Sequence, residues 1–305
     1  MNTWQRFKNS YLFYNFKQDP VAIGSFSVLS VLVVVSILAP VVVPHDTYDT
    51  ATIDILDAET PPSWMETGDE KFLLGTDIQG RDLLSTMIFG LRVSLLIGVG
   101  AVLFQSLLGI LVGLLAGYFG GKLDAFLMRI ADIQFSIPYL IVAIFTSAIF
   151  KLAFGVGRWE ELAVPLLIII IGMSEWPKYA RTVRASVLGE KNKEYVEAAR
   201  VIGFSGWRII FRHILPNTLT PVLVLSTIQV ANAVMSEAAL SFLGLGMPIT
   251  KPSLGSLIRS GFEYIFSGSW WITFFPGILL VIFLLVVLLL GDWLRDVLNP
   301  KLYKG

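Results

Sequence analysis

The chain has 305 residues, of which 55% are hydrophobic and only 15% charged, with a mean hydropathy of +0.72. A soluble domain carries roughly a quarter charged residues, so the composition specifies an all-α integral membrane protein and excludes a water-soluble globular domain. The 23 basic and 23 acidic residues cancel, which leaves no electrostatic case for nucleic-acid binding. With no cysteine there are no disulfides, thiolate metal sites or cysteine nucleophiles, and two separated histidines, His45 and His213, do not make a metal site.

In chain order, residues 1–20 form a polar arm in which Arg6, Lys8 and Lys17 alternate with Trp4, Phe7, Tyr11, Phe13, Tyr14 and Phe16. Basic and aromatic mixtures of this kind lie against membrane lipid at the headgroup level. Residues 21–43 are the first expected span, long enough for a hydrocarbon core of about 30 Å. The run is too long for a cleaved signal and Ala39-Pro40 is a poor cleavage site, so it is expected to stay as an anchor. An acidic stretch to about residue 74 follows, with Asp46, Asp49, Asp54, Asp57, Glu59, Glu66, Asp69 and Glu70 against Lys71 alone. Pro61-Pro62 and Trp64 indicate an ordered turn within it. The acidic spacing fits no EF-hand template, and the stretch reads as a solvated loop.

The remaining apolar runs are 93–118, 126–150, 162–176, 219–243 and 271–290, which brings the expected spans to six. The fourth is short and is expected to continue past Pro177 as a helix outside the membrane. In the second, Gly109, Gly113 and Gly117 recur at steps of four, a face that lets two helix backbones approach. Arg129 and Asp132, one turn apart, read as an ion pair at the end of the third span. Gln105 and Ser106 in the second span, with Gln229, Asn232 and Glu237 in the fifth, are candidates for the translocation path, and Gln229, Asn232 and Ser236 share one face; interhelical hydrogen bonds explain that face equally well, and Glu237 reads as structural and not proton-coupling. With the amino terminus inside, sixteen of the 23 cations fall on the inner side and seven on the outer, as the positive-inside rule requires.

The longest charged segment between apolar runs is residues 194–216. Glu194 and Glu197 near its start and Arg200 near the end of its first helix suit a helix dipole. Ala198, Ala199 and Gly203 are expected to strip bulk from one surface, as a short helix seated in another protein's groove needs. Gly203 to Gly206 break this helix, and a second, apolar one is expected to end at Pro216. Lys191, just before it, reads as an exposed surface charge. No phosphate-cradling G-x-x-x-x-G-K-[ST] loop occurs, nor a G-x-S-x-G elbow or an H-E-x-x-H helix. Gly244-Leu245-Gly246 reads as a helix stop. No catalytic residue, cofactor site or metal site is assigned, and any driving energy is expected to come from another subunit.

Glu197-Ala198-Ala199, Gly203 and Leu215-Pro216 resemble the EAA loop of ABC-importer permeases, and Arg212-His213-Ile214-Leu215-Pro216-Asn217 resembles its peptide-import branch, with His213 where many permeases have Ile. Leu74-Gly75-Thr76-Asp77 with Gly80-Arg81-Asp82, Leu240-Ser241-Phe242-Leu243-Gly244-Leu245-Gly246, and Gly291-Asp292-Trp293-Leu294-Arg295-Asp296 with Asn299-Pro300 extend the likeness from about Leu73 to Lys301. The chain is thus similar to the C-type permease subunit of oligopeptide and dipeptide ABC importers. The resemblance implies a type I importer permease fold over residues 75–305, preceded by an arm, first helix and acidic extracytoplasmic loop over 1–74. It implies a multi-pass protein of the bacterial cytoplasmic (inner) membrane with both termini cytoplasmic. It also implies a second homologous permease, two cytosolic ATPases that hold ATP and Mg, and an extracytoplasmic peptide-binding protein. Glu194, Glu197, Ala198, Ala199, Arg200, Gly203, Leu215 and Pro216 would form the ATPase coupling surface. Relatives in this family carry nickel, glycosides or opines. An ion-coupled secondary carrier, the alternative of another class, would need deeply buried carboxylates and inverted repeats, and the sequence displays neither.

Overall fold

The computed structural model describes residues 11–47 and 53–298. Trp4, Arg6, Phe7, Lys8, Asp49, Asn299-Pro300, Lys301 and Lys304 lie outside the described residues. The elements are α1 (Tyr11–Gln18), α2 (Pro20–Ile37), α3 (Ala39–Val42), α4 (Leu83–Phe119), α5 (Gly121–Phe135), α6 (Tyr139–Glu190), α7 (Glu194–Val201), α8 (Gly206–Ile209), α9 (Leu215–Phe242), α10 (Leu254–Glu263) and α11 (Trp271–Val297). Among the described residues the only β pairing is an isolated bridge between Thr76 and Asp82. Among the described residues, five helical stretches are long and apolar enough to cross a membrane: Pro20–Ile37, Leu83–Phe119, Gly157–Glu190, Gly206–Phe242 and Trp271–Val297.

The third expected span is the one that departs from a straight helix. Gly121–Phe135 and Tyr139–Gly155 meet at 86° instead of running on through residues 126–150. Pro138 is the cause: it has no N–H, and a proline ring disfavours the helical region for the residue before it, while Pro138 itself takes extended angles (φ −53°, ψ 127°). A second break within α6 falls at Gly155 (φ 73°, ψ 166°). The helix then runs unbroken through Pro177 to Glu190, the continuation that the sequence leads one to expect.

The core is organised on the seam between α4 and α6. A Cβ on Gly109 would sit 2.3 Å from the Tyr179 Cβ, one on Gly113 2.6 Å from the Ala180 carbonyl oxygen, and one on Gly117 2.7 Å from the Val187 Cβ. The glycine face therefore brings two backbones into contact, as its spacing predicts. From this seam one buried cluster (Leu114, Tyr179, Val183, Val187) continues into Val196, Ala199, Ile210 and Ile214. Another (Ile97, Trp159, Leu167, Ile170, Leu240) fills the other end of the bundle.

Polar ties fix the remaining elements. Asp132 pairs with Arg181 of α6 (2.5 Å), not with Arg129, because the α5–α6 bend brings the two helices side by side. Asp124 binds Arg184 through both carboxylate oxygens, at 2.5 and 2.7 Å. The Thr76–Asp82 turn is built around a buried pair, Arg81 Nη2 to Asp77 Oδ2 at 2.6 Å, and Asp82 caps α4 by accepting from the Ser85 N–H. The acidic loop is consequently held and not simply solvated: Trp271 donates to the Thr76 carbonyl (3.2 Å) and Ser269 to Glu59 (2.6 Å).

The seam yields a stability test. Gly113→Ala drives a methyl into backbone and should cost about 1–3 kcal/mol, read as a lower thermal unfolding midpoint of the detergent-purified protein. Gly189→Ala, whose Cβ meets nothing within 4 Å, should match or slightly exceed wild type. Equal midpoints for the two variants would contradict the seam.

Candidate functional site

The segment from Glu194 to Pro216 folds as a short helix, a tight turn and a re-entry into α9. Glu194 and Glu197 lie in the first turn of α7 and Arg200 in the last, the distribution that a helix dipole favours. Val196 and Ala199 face inward, 0% and 3% exposed, and join the cluster on the α4–α6 seam. Glu194, Glu197, Ala198, Arg200 and Gly203 are exposed. The sequence led to the expectation that the small residues share one surface, and they do not: Ala199 seats α7 on its own bundle, and Ala198 and Gly203 face out. The 3.6-residue period requires this, since adjacent residues diverge by about 100° around the axis.

α7 ends in a Schellman motif. The Gly203 N–H donates to the Arg200 carbonyl (3.0 Å) and the Phe204 N–H to the Ala199 carbonyl (3.1 Å). Gly203 takes φ +89°, and nothing within 4 Å would meet a Cβ there. Its requirement is therefore conformational and not steric. The turn leaves Val201 88% and Ile202 70% exposed, an apolar tip that the sequence reading missed. Two consecutive apolar residues before a C-terminal glycine were its only signal.

The second helix does not stop at Pro216. α8 passes through a π turn over Ile210–Ile214, where the Leu215 N–H reaches the Ile210 carbonyl, and continues as α9 with Pro216 in its first turn. A proline there lacks an N–H that the wider turn does not need. Buried Ile210 and Ile214 clamp this junction to the seam. Beside it, Tyr195 donates to Glu190 (2.6 Å) and accepts from the Asn217 amide (3.1 Å), which also donates to the His213 carbonyl (2.8 Å). Burial, and then donation to the Glu190 carboxylate, push the Tyr195 phenol above its ordinary pKa. Lys191 is no free surface charge; its Nζ donates to the Gly117 carbonyl (2.9 Å) and caps the end of α4.

The candidate path residues divide. Gln229 is 1% exposed and donates to Glu175 (3.0 Å); Asn232 is half-buried and donates to Gln229 (2.7 Å). Ser236 is buried and donates back to the Asn232 carbonyl (2.8 Å). Gln105 is buried on α4, and its Oε1 has no hydrogen-bond partner among the described residues. In this conformation Gln229 joins α9 to α6 by an interhelical hydrogen bond, and Asn232 supports it from one turn along α9. Glu175, which the sequence reading passed over, is the centre of the network: it also pairs with Lys178, and both line a cavity of about 190 Å³ at the α5–α6 bend. At the far end of α9, Glu237 is fully buried and accepts from Ser94 (2.7 Å) and Ser241 (2.6 Å). Deeply buried carboxylates do exist here, contrary to the sequence reading, although each has dedicated donors.

Comparison with known proteins follows this geometry. The family described as "Binding-protein-dependent transport system inner membrane component" matches residues 105–304, and "N-terminal TM domain of oligopeptide transport permease C" matches residues 2–62. The "Di/tripeptide transport system permease protein DppC" of Pseudomonas aeruginosa (strain UCBPP-PA14) is 38% identical over 288 residues, covering 94% of this chain and 90% of that protein. The "Oligopeptide transport system permease protein OppC" of Bacillus subtilis (strain 168) is 34% identical over 291 residues, covering 95% and 88%. Among solved structures, an inward-facing MetNI methionine ABC transporter chain is similar in fold, with a TM-score of 0.55 at 23% identity, covering 70% of this chain and 97% of that one.

The Schellman turn can be tested by itself. Gly203→Val should destabilise the end of α7 by about 1–2 kcal/mol, since a β-branched residue strongly resists positive φ, and Gly203→Asn by less. Trypsin cleavage at Arg200 and Arg208 should accelerate several-fold in the valine variant. Indistinguishable cleavage rates in wild type and both variants would refute the conformational requirement.

Proposed function

Because this chain belongs to the binding-protein-dependent transport system inner-membrane component family, we propose that it is the permease subunit of an ATP-driven importer of short peptides. It forms half of a translocation path with a second, homologous permease. The residues at 194–216 couple it to a cytosolic ATPase, and a second ATPase serves the partner permease. ATP and Mg belong to those ATPases, and an extracytoplasmic binding protein delivers the cargo. The chain lies in the cytoplasmic membrane with α7 and both termini on the cytosolic side.

One observation carries the coupling reading: α7 is anchored on one face and unpartnered on the other. Val196 and Ala199 are buried in the bundle while Ala198, Val201, Ile202 and Gly203 face away from it. A helix held in this way moves with the α4–α6 seam. When ATP closes the ATPases, the two α7 helices approach, the seams rotate, and the path opens outward; hydrolysis reverses the movement. Small and apolar residues at the tip let it seat in a groove with few desolvated charges. The peptide cargo is supported by the printed functions of the dipeptide and oligopeptide permease relatives.

Ala198→Asp and Ile202→Asp place a charge on the outward face without touching the core. Each should leave membrane abundance near wild type, weaken ATPase co-purification by about 10- to 30-fold (about 1.4–2 kcal/mol), and abolish most uptake of a labelled dipeptide. Ala199→Asp puts the charge on the buried face and should instead lower abundance. Lys122→Ala, an exposed change, should behave as wild type. Normal ATPase retention in both outward variants would refute coupling through α7. Orientation is checked separately with an impermeant thiol reagent on intact cells: a cysteine at exposed Glu70 should label and one at exposed Ser205 should not.

A further inference from the structure

The Leu240–Gly246 motif is a sequence signature that coupling to an ATPase leaves unused. α9 has 28 residues, so at about 1.5 Å per residue its end lies about 42 Å from its start beside α7. There the chain repeats the Schellman geometry of α7: the Gly244 N–H donates to the Ser241 carbonyl (3.0 Å) and the Leu245 N–H to the Leu240 carbonyl (2.9 Å). Gly244 has φ +79°, and a Cβ there would lie 1.8 Å from the Arg259 guanidinium, which is laid directly over the turn.

This turn forms part of the wall of a cavity of about 330 Å³, which also holds Lys151, Glu160, Arg259 and Glu263. The size is that of a small-ligand site. Trp159, 1% exposed, fixes one side by donating to the Gly246 carbonyl (3.2 Å). The charges are left loosely compensated. Lys151 donates to the Gly244 carbonyl (3.0 Å), so its partner is neutral. Arg259 reaches Glu263 only at 3.8 Å, with the two side chains 43% and 62% exposed. Glu160 accepts one long hydrogen bond, 3.5 Å, from Thr250. The pairs that lock helices and turns are much closer, as with Arg81 and Asp77 at 2.6 Å or Arg184 and Asp124 at 2.5 Å.

We propose that this cavity, formed by the Gly244 turn with Lys151, Arg259, Glu160 and Glu263, receives the charged termini of a short zwitterionic peptide as it enters the path. The two cations hold the terminal carboxylate and the two carboxylates the terminal ammonium. Charges of both signs with slack contacts can exchange their weak partners for a ligand's termini, whereas a tightly paired set would first have to lose its own bonds. The site rests on the peptide-importer reading above and adds a specificity-determining position to it.

The test uses the whole complex in liposomes with saturating binding protein preloaded with a dipeptide of two alanines, either free or amidated at its carboxyl terminus. Arg259→Gln and Glu160→Gln should each lower kcat for the free dipeptide by about tenfold and leave KM for the loaded binding protein within about twofold. Wild type should favour the free over the amidated cargo, and Arg259→Gln should erase that preference; Arg259→Lys should restore part of it, which a merely structural role would not do. A raised KM for the binding protein with unchanged kcat would overturn the proposal in favour of a docking surface. Unchanged kcat, KM and preference would overturn it in favour of plain surface charge. Wild type that fails to import either dipeptide would count against the peptide-importer reading itself, whatever the variants do.

Discussion

The close approach of α4 and α6 is the constraint on which the rest of the molecule depends. Lipid tails are as apolar as leucine, so no hydrophobic drive pushes two spans together, and association relies on shape and local polar bonds. Gly109, Gly113 and Gly117 provide that shape by letting the α6 backbone sit where side chains would otherwise stand. The cluster along this seam extends without interruption to Val196 and Ala199 of α7 and to Ile210 and Ile214 of the π turn. A displacement at the outward tip of α7 therefore reaches the spans through packed side chains, not through a flexible loop.

The ends of α7 and α9 show the same backbone solution applied to different surroundings. Gly203 and Gly244 both have positive φ and both terminate a helix with the paired bonds of a Schellman turn. Around Gly203 there is open space, which leaves an apolar tip exposed at Val201 and Ile202. Around Gly244 an arginine fills the space and loosely paired charges surround it, which leaves a polar cavity. Between them the buried carboxylates Glu175 and Glu237 each carry dedicated donors, as a charged or polar group removed from water must. They also tie α9 to α6 and to α4 respectively, so the two ends are joined through a braced helix.

Membrane residence, the number of apolar runs and the continuation of the fourth past Pro177 were legible in the sequence, because these depend on composition and on local rules for proline and glycine. So was the glycine seam, since a step of four residues places side chains on one helix face whatever that face meets. The resemblance at 194–216 and in the other motifs identified the family, and the conformational demand at Gly203 follows from its position after a helix end. Other features depend on which elements become neighbours. Arg129 and Arg181 are equally plausible partners for Asp132 until the 86° bend at Pro138 brings α6 alongside. Ala198 and Ala199 look alike until one of them is turned toward the seam. Lys191, Glu175 and Glu237 acquire their roles from groups 74, 54 and 143 residues away. Periodicity is a property of a single helix, and so the sequence determined the elements and their faces; a buried charge is stable only beside its donor, and so only the tertiary structure decided the partners.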